Sequence, residues 1–446
     1  MILSILAFLI TISILVVFHE LGHYLCARLC GVKVLTFSIG FGPKLVKFNT
    51  KSNEWCISAI PLGGYVRMLD ENEMDVKDHE KQFAFNRKHP GQKVLIAFFG
   101  PFFNILLAFL IYLGIALNGV PQIKPIIASY NPKDRVINWL NIQEGSSILA
   151  INQSKPDSWH TADILFSQAA FESNQIQVTT SYQGMIKNNL VDVTKMRKDD
   201  LVAKIYLEDI GLSPYQYLPI VAYVEPKAPA FNSGIKEGDV ISMIDGIIID
   251  NWFQVIQVIQ NSPNKILNFT ILRQQKKLEL KVPVALDSRD GQEVGKIGIM
   301  PTLNSKLLEK NSFVQQYNFI DSVKYAMEQC YRVVILNLSG LYGILTGSLS
   351  WHNIGGPVSV AKAGASALSI GVKEFFGFLA LISVSLAVVN LLPVPVLDGG
   401  HVIVHALEWL FRREITQNMR IAMFKVGLCL IIGLSIIAIY NDILRL

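Results

Sequence analysis

The stretch VVFHELGHYL, residues 16–25, places two histidines and a glutamate at the end of a long apolar run. On a helix, His19 and His23 lie one turn apart on the same face, where two imidazoles can bind one metal ion. Glu20 then stands beside the open coordination position and can take a proton from water there. Because ionisable groups next to hydrocarbon are costly, the pattern predicts a catalytic metal site. The alternative is a helix whose polar face only lines a helix bundle.

The composition fits a membrane protein that carries soluble parts. Of the 446 residues, 51% are hydrophobic and only 17% are charged, which is too apolar for an ordinary soluble enzyme. A bilayer takes about 20 residues of helix, and three apolar runs are clearly long enough to cross it. A fourth is shorter in its uncharged part, but Lys425 near its start could extend to the interface, so we expect four spans. They lie within residues 1–30, 93–119, 375–397 and 421–441. The lipid bilayer is therefore an expected partner, and we expect no nucleic acid partner. The net charge of +5 argues neither for nor against nucleic acid, because membrane proteins collect Lys and Arg on one side.

The loops between the apolar runs predict how the helices are oriented. Residues 28–93 carry eleven Lys or Arg, whereas the segment before the first apolar run carries none. Short basic loops stay in the cytoplasm, so the first helix should run from outside to inside. The loop 31–92 and the arginine-containing loop 398–420 would then be cytoplasmic, and the large region that starts at residue 120 would lie outside.

The same topology predicts a third metal ligand. A catalytic zinc normally has three protein ligands and a water. At about 1.5 Å per residue, His19 lies about 27 Å along its helix, close to the inner edge of the hydrocarbon. The segment 375–397 also runs inward, and the first ionisable residue that follows it is Asp398. We therefore expect one zinc ion per chain, bound by His19, His23 and Asp398.

A second pair of histidines, His401 and His405, has the same four-residue spacing. No glutamate directly follows His401, and the pair lies beyond the end of the apolar segment. We interpret these histidines as structural or as neighbours of the metal ligands, and a rival metal site as the alternative.

Residues 305–374 contain the uncharged stretch 333–350, which holds Asn337 and three glycines. An amphipathic segment precedes this stretch. We interpret the region as lying against the membrane surface, and a further membrane span is the alternative.

An internal repeat lies between the second and third apolar runs. Residues 142–159 align with residues 235–252 at a constant offset of 93 (235 − 142), and seven positions are identical. A period this long predicts two tandem domains, residues 120–212 and 213–304, rather than a solenoid. The second copy resembles the PDZ domains of bacterial membrane-associated proteases more closely than the first copy does.

Two segments of the first loop predict β-strands close to the membrane. TFSIGFGPKLVKF (36–48) and EWCISAIPLGGYVRML (54–69) alternate partway between apolar and polar residues and contain turn glycines. An edge strand here could capture an unwound substrate by backbone pairing, which makes Gly63, Gly64 and Tyr65 candidate substrate-binding residues. The alternative is a cytoplasmic sheet that only packs against the helices.

HELGH, GPFFN (100–104), the PDZ-like repeat and NLLPVPVLDGG (390–400) occur in an order that resembles the site-2 protease family. The resemblance runs through essentially the whole chain. It implies a zinc metalloprotease that cuts peptide bonds inside or next to the membrane, with the three zinc ligands named above and Glu20 as general base. It also implies that Asn390 helps to hold the substrate backbone or the developing oxyanion, although an asparagine there could equally form a helix–helix hydrogen bond.

The expected fold is a polytopic α-helical membrane protein with four transmembrane helices, a membrane-associated β-hairpin and two tandem PDZ-like α+β domains. The resemblance implies regulated proteolysis of single-pass membrane proteins in the cell inner membrane. An anti-sigma factor, after a first cut by another protease, and remnant signal peptides are the implied substrates. The active site would face the cytoplasm, and the PDZ-like domains would lie in the periplasm and filter substrates. The alternative function is a non-catalytic membrane scaffold or zinc carrier whose PDZ-like domains recruit partners.

Overall fold

The computed structural model describes residues 2–50, 53–131, 142–194, 206–289, 292–347, 349–351, 354–413 and 415–444. The chain forms two compact units, and each has its own core. The helical unit comprises residues 1–120 and 316–446, and the modular unit comprises residues 121–315.

The N-terminal part of the helical unit has two long helices separated by a β-sheet. Its elements are α1 (Ile2–Leu29), β1 (Val34–Asn49), β2 (Glu54–Met68), a 3-10 helix (Asp78–Phe83) and α2 (Pro90–Leu117). Proline suits the first position of α2, where its missing N–H is not needed. The Gln92 side chain accepts a hydrogen bond from the His89 N–H (3.2 Å) and so closes the start of this helix.

The two strands form more than a simple hairpin. Thr36 pairs with both Arg67 and Glu54, and Phe37 pairs with both Val66 and Trp55. The first half of β1 therefore lies between the two halves of β2. Residues 64–68, by contrast, pair only with the first half of β1, so they form one edge of this sheet. The expected strands at 36–48 and 54–69 are thus present, but the first half of β1 pairs with both halves of β2 instead of with one strand only.

The first module of the modular unit has its own buried apolar core. Its elements are β3 (Val120–Ile123), β4 (Ser129–Tyr130), β5 (Ser147–Ile151), α3 (Trp159–Glu172), β6 (Gln175–Tyr182), β7 (Met185–Asp192) and β8 (Leu212–Ser213). Strands β5, β6 and β7 form one sheet, and β4 pairs with β8.

The second module follows directly and has a second core. Its elements are β9 (Tyr217–Val224), α4 (Pro229–Asn232), β10 (Val240–Ile244), β11 (Ile247–Ile248), α5 (Trp252–Gln260), β12 (Ile266–Arg273), β13 (Lys276–Pro283), β14 (Ala285–Arg289), β15 (Gln292–Lys296), β16 (Ile299–Leu303), α6 (Ser305–Asn311) and β17 (Ser312–Gln315). The main sheet has the order β13-β12-β10-β9-β16, and β17 pairs with β3.

The sequence repeat corresponds to equivalent elements of the two modules. Strands β5 and β10 begin 93 residues apart (240 − 147), and so do helices α3 and α5 (252 − 159). Trp159 and Trp252 open the two helices and are both buried, at 6% and 4% exposure. The repeated residues are therefore mainly core residues, which explains why they recur at a fixed offset.

In the C-terminal part of the helical unit, all regular elements of the described residues are helices. Its elements are α7 (Phe319–Thr346), α8 (Pro357–Ile370), α9 (Val372–Asn390), α10 (Asp398–Phe411) and α11 (Gln417–Leu444). Four helices of the described chain are long and apolar enough to cross a membrane, namely Leu3–Leu29, Pro90–Leu117, Val372–Asn390 and Asn418–Leu444. This number agrees with the four expected spans.

The third span is shorter than its apolar run. The run extends to residue 397, but α9 ends at Asn390, and the chain continues without regular structure to Leu397. Pro393 and Pro395 explain the difference, because proline lacks the N–H that a continuing helix needs. The irregular segment 391–397 connects α9 to the next helix, α10, which begins at Asp398.

The region 305–374 is divided between the two units. Residues 305–315, in α6 and β17, belong to the modular unit. Helix α7 packs beside α2 and α9 through buried side chains, including those of Ala326, Cys330 and Val333. The Asn337 side chain donates a hydrogen bond to Ser385 Oγ (3.0 Å), well inside α9. The uncharged half of α7 thus lies alongside a candidate span, and its placement on the membrane surface stays a prediction.

Candidate metal centre and active site

Helix α1 presents the two histidines of HELGH to one point. His19 and His23 are one turn apart, and their Nε2 atoms lie 3.2 Å from each other. The imidazole planes are nearly perpendicular, at 84°. Both side chains are mostly buried, at 12% exposure. The helical periodicity alone accounts for this pairing, as expected from the sequence.

Asp398 reaches the same point from the first turn of α10. Its Oδ2 lies 3.1 Å from His19 Nε2, and its Oδ1 lies 3.4 Å from His23 Nε2. Burial alone would raise the pKa of Asp398, but its contacts with the two histidines hold the pKa well below its usual range. The carboxylate is therefore ionised, as a metal ligand must be.

The two glycines after Asp398 let α10 begin so close to the end of α9. A Cβ atom at Gly399 would lie 2.3 Å from the Leu391 carbonyl oxygen, and one at Gly400 would lie 2.3 Å from the Val394 carbonyl oxygen. Only glycine fits such an approach of backbone to backbone. The DGG sequence thus fixes where the carboxylate of Asp398 arrives.

The three side chains fit a zinc ion. Tetrahedral zinc with bonds of about 2.0–2.1 Å places its ligand atoms about 3.3–3.4 Å apart. The separations of 3.1, 3.2 and 3.4 Å match this spacing. Within the part of the chain that the structure describes, His19, His23 and Asp398 are the one group of three such residues whose donor atoms converge. The predicted ligands therefore come together, and His401 and His405 do not form a rival group there.

Glu20 lies between the metal ligands and the β-sheet. A Cβ atom at Gly64 would lie 2.9 Å from Glu20 Cγ and 2.6 Å from the Ser38 carbonyl oxygen. Glu20 lines a cavity of about 520 Å³ together with His23, Asp398 and Tyr65. Tyr65 to Met68, on the edge of the sheet, therefore line the same cavity as the metal ligands His23 and Asp398.

The other predicted substrate residues are less directly placed. A Cβ atom at Gly63 would lie 2.1 Å from the Phe41 ring, so this glycine makes room for an aromatic side chain within the sheet. Asn390 is the last residue of α9 and is not among the residues that line the cavity. Its role in holding the substrate stays a prediction.

His401 and His405 line the same cavity, and His405 is also part of a second polar network. His405 Nδ1 lies 2.9 Å from Glu408 Oε2, and Glu408 also pairs with Arg420. Burial lowers the pKa of His405, and the nearby Glu408 opposes this effect only in part. Both histidines thus line the cavity beside the metal ligands, and His405 is held by a hydrogen bond to Glu408.

Helix α2 contributes contacts that the sequence did not predict. His23 Nδ1 lies 2.8 Å from the Ile96 carbonyl oxygen, and the Asn104 amide lies 3.3 Å from His19 Nδ1. A Cβ atom at Gly100 would lie 2.3 Å from His23 Nε2, so only glycine leaves room for this imidazole. The segment GPFFN supported the family resemblance, yet nothing in its local pattern indicated that it faces the histidines.

Comparison with solved structures finds isolated PDZ domains. One is the PDZ domain of an SdrC-like protein from Listeria monocytogenes, which is 22% identical, covers 20% of this chain and 88% of that chain, and gives a TM-score of 0.17. The corresponding domain from Listeria innocua is also 22% identical and gives a TM-score of 0.17 over 19% of this chain and 92% of that chain.

Comparison with curated proteins finds relatives over nearly the whole length. The regulator of sigma-E protease RseP of Escherichia coli is 30% identical over 446 residues, which cover 99% of this chain and 98% of that protein. A protein of Pasteurella multocida, whose name assigns it to the zinc metalloproteases, is 32% identical over 460 residues and 99% of both chains. The family model for peptidase family M50 matches residues 7–434. These matches confirm the resemblance read from the motifs, and the chain belongs to peptidase family M50, the site-2 protease family of zinc metalloproteases.

Proposed function

We propose that this protein is an intramembrane zinc endopeptidase that cleaves single-pass membrane proteins. The observation that carries the proposal is the convergence of His19, His23 and Asp398 on one point, with Glu20 on the wall of the same cavity. The membership of a peptidase family argues against the alternative of a scaffold or zinc carrier, which would need no general base.

His19, His23 and Asp398 would hold one zinc ion per chain, because their donor atoms have the spacing of a tetrahedral site. Zinc bound there would polarise the scissile carbonyl and make water a stronger nucleophile near neutral pH. The remaining steps fall to side chains of the protein. Glu20 accepts a proton from the attacking water and then passes it to the leaving amine, which is the work of a general acid–base residue.

The edge of the β-sheet offers a way to present an unwound substrate. Residues 64–68 pair with β1 on one side only, and Tyr65 to Met68 line the cavity. A substrate that adds to this edge as an extended strand would expose its peptide bonds, which a helix hides in its own hydrogen bonds. Gly63, Gly64 and Tyr65 would then contact the substrate backbone, and Asn390 would hold the backbone or the oxyanion from the end of α9.

The orientation follows from the distribution of basic residues. The loop between α1 and α2 and the loop before α11 would be cytoplasmic, which places the metal centre near the cytoplasmic face of the inner membrane. The modular unit would then be periplasmic. Its two modules have the repeat that resembled PDZ domains, and we assign to them the exclusion of substrates whose outer domains are still bulky.

The names of the relatives support a proposed substrate class. Several are named regulators of sigma-E, so a membrane-bound anti-sigma factor, already shortened by a first protease, is the proposed target. Remnant signal peptides, which are short single spans without an outer domain, form a second proposed class.

The decisive experiment incubates the purified full-length protein with a panel of single-span substrates that carry long or short outer domains. Fragments are identified by mass spectrometry with and without a zinc chelator. We expect cleavage within or next to the span, preferably of the short forms, which the chelator abolishes and added zinc restores. Cleavage that is insensitive to the chelator, or no cleavage of any member of the panel by zinc-loaded protein, would contradict the proposal.

A further inference from the structure

One face of α2 packs against the metal-binding face of α1 over several helical turns. Ile96, Gly100 and Asn104 are spaced four residues apart, so they lie on one face of α2. Ile96 and Gly100 contact His23, and Asn104 contacts His19. The helices also approach closely at Gly22, where a Cβ atom would lie 2.2 Å from the Phe99 carbonyl oxygen. This close approach brings main-chain and side-chain polar groups of α2 within reach of the imidazoles.

The contact to His23 determines which ring nitrogen carries its proton. A carbonyl oxygen can only accept, so the 2.8 Å contact with Ile96 requires that His23 Nδ1 carries the hydrogen and donates it. The lone pair of His23 is then on Nε2, the atom that faces Asp398 and His19. This is the tautomer that a metal ligand needs.

The contact to His19 is made by a side chain. Asn104 is fully buried, and its Oδ1 has no hydrogen-bond partner among the described residues, while its Nδ2 lies 3.3 Å from His19 Nδ1. A half-turn of the amide group exchanges Oδ1 and Nδ2 without moving other atoms. In that orientation Oδ1 accepts a hydrogen bond from the His19 Nδ1–H, and the lone pair of His19 is on Nε2.

Asn104 is itself held in place by the third span. Ser383 Oγ, in α9, donates a hydrogen bond to the Asn104 main-chain oxygen at 2.7 Å, and both residues are fully buried. The main chain at Asn104 is thus fixed to α9, and its side-chain amide lies at His19 Nδ1, the ring nitrogen that does not face Asp398. An amide at 0% exposure between apolar helices is costly unless its polar atoms are used.

We propose that Asn104 is a positioning residue for the metal site. It accepts the Nδ1 proton of His19, as the Ile96 carbonyl accepts that of His23, and together they leave both Nε2 atoms free to bind zinc. The inference rests on the zinc site of the proposed function. Ligand histidines commonly donate their second N–H to such an acceptor, and removal of the acceptor typically weakens metal affinity about 10- to 100-fold.

The test compares zinc affinities of four purified full-length proteins by competition with a chelator. They are the wild type, Asn104→Leu, Asn104→Asp and the control Asn337→Leu, which removes an asparagine of α7 whose side chain donates to Ser385 Oγ rather than contacting a histidine. We expect Asn104→Leu to bind zinc about 10- to 100-fold more weakly. Asn104→Asp, which keeps the acceptor, should bind within a few-fold of the wild type, and so should the control.

A spectroscopic measurement makes the test independent of how well the variants fold. Nitrogen NMR of imidazole-labelled wild-type protein loaded with zinc should show Nδ1 of His19 protonated. Equal zinc affinity of Asn104→Leu and wild type, an Asn104→Asp protein that behaves like Asn104→Leu, or an unprotonated His19 Nδ1 would overturn the inference. If the wild type itself bound no zinc, the proposed function would fail instead, so the two failures are distinguishable.

Discussion

His19 Nε2 lies 3.1 Å from Asp398 Oδ2, although almost the whole chain separates the two residues. The contact joins the first long helix to the start of the helix that follows the third span. It exists because α9 ends at Asn390 and the proline-containing segment after it turns back onto the HELGH face. The same contact defines where zinc and the scissile bond must meet.

Glu20→Gln should keep the fold and the zinc while it removes the general base. Loss of such a group typically lowers the rate of the chemical step by about 10²- to 10⁴-fold. Cleavage of a single-span substrate and zinc content are measured on the same preparation. The matched control is Glu328→Gln, an exposed glutamate of α7, which should cleave normally. Normal cleavage by Glu20→Gln would exclude this residue as the base.

Gly100→Ala should damage the metal site, whereas Gly114→Ala in the same helix should not. The new Cβ atom would lie 2.3 Å from His23 Nε2 at position 100 but has nothing within 4 Å at position 114. The His23 imidazole would have to move, so zinc affinity and cleavage should fall together. Alanine is also the better helix former, so the control should be at least as stable as the wild type. Equal zinc affinities of the two variants would show that the imidazole can give way.

Gly64→Ala should separate catalysis from metal binding. Its Cβ atom would press on the Ser38 carbonyl oxygen and on Glu20 Cγ, and none of the three atoms nearest to it belongs to a zinc ligand. We expect zinc content to stay normal while cleavage falls by about 10²-fold, the cost of a displacement of about 1 Å at a reacting group. The control Gly377→Ala, in α9, has nothing within 4 Å of its new atom. A loss of zinc without a change in fold would mean that the sheet also supports the ligands.

The stability contributed by Glu408 should depend on pH. Burial alone would raise the pKa of Glu408, but His405, the Ile415 N–H and Arg420 together lower it below its usual value. A carboxylate whose folded pKa is depressed stabilises the protein above its unfolded pKa, and this contribution is lost as the pH falls through the folded pKa. Glu408→Gln should therefore lower the free energy of unfolding by about 1–3 kcal/mol at neutral pH.

The measurement is the thermal unfolding midpoint of Glu408→Gln and wild type at several pH values. The difference between the two proteins should be constant near neutrality and should shrink as the pH falls below the ordinary pKa of a glutamate and through the lower pKa of the folded protein. A difference that grows as the pH falls would reverse the sign of this argument. The exposed Glu328→Gln serves again as the control and should follow the wild type throughout.

The proposed orientation can be read by cysteine labelling. Cys429 is the one exposed native cysteine in the described chain, so the background is Cys429→Ser. Asn72→Cys reports the loop between α1 and α2, and Lys265→Cys reports the modular unit, and both positions are exposed. With a membrane-impermeant maleimide, intact spheroplasts should label position 265 only, and position 72 should react after the membrane is opened. The reverse pattern would place the metal centre on the outer side.

Much of this site could be predicted from the amino-acid sequence because the signals are local. The four-residue spacing of His19 and His23 puts them on one helix face whatever surrounds it, and an uncharged run long enough to span a bilayer is favoured there by its own composition. The repeat at an offset of 93 can likewise be recognised in the sequence, because each module needs the same core residues. Asp398 followed from these local signals together with the predicted direction of each span.

Only the tertiary structure decided which polar and small residues contact the histidines. An asparagine or glycine in an apolar helix gives the same local pattern whether it faces lipid, a loop or an imidazole, so the sequence could not distinguish Asn104 from Asn337 or Gly100 from Gly114. The proximity of Gly64 to Glu20 and the course of α7 beside α9 also depend on long-range packing. The sequence therefore determined which side chains are the candidates for the chemistry. The packing of α1 against α2 and the sheet decided how they are held, because such contacts join residues with no relation along the chain.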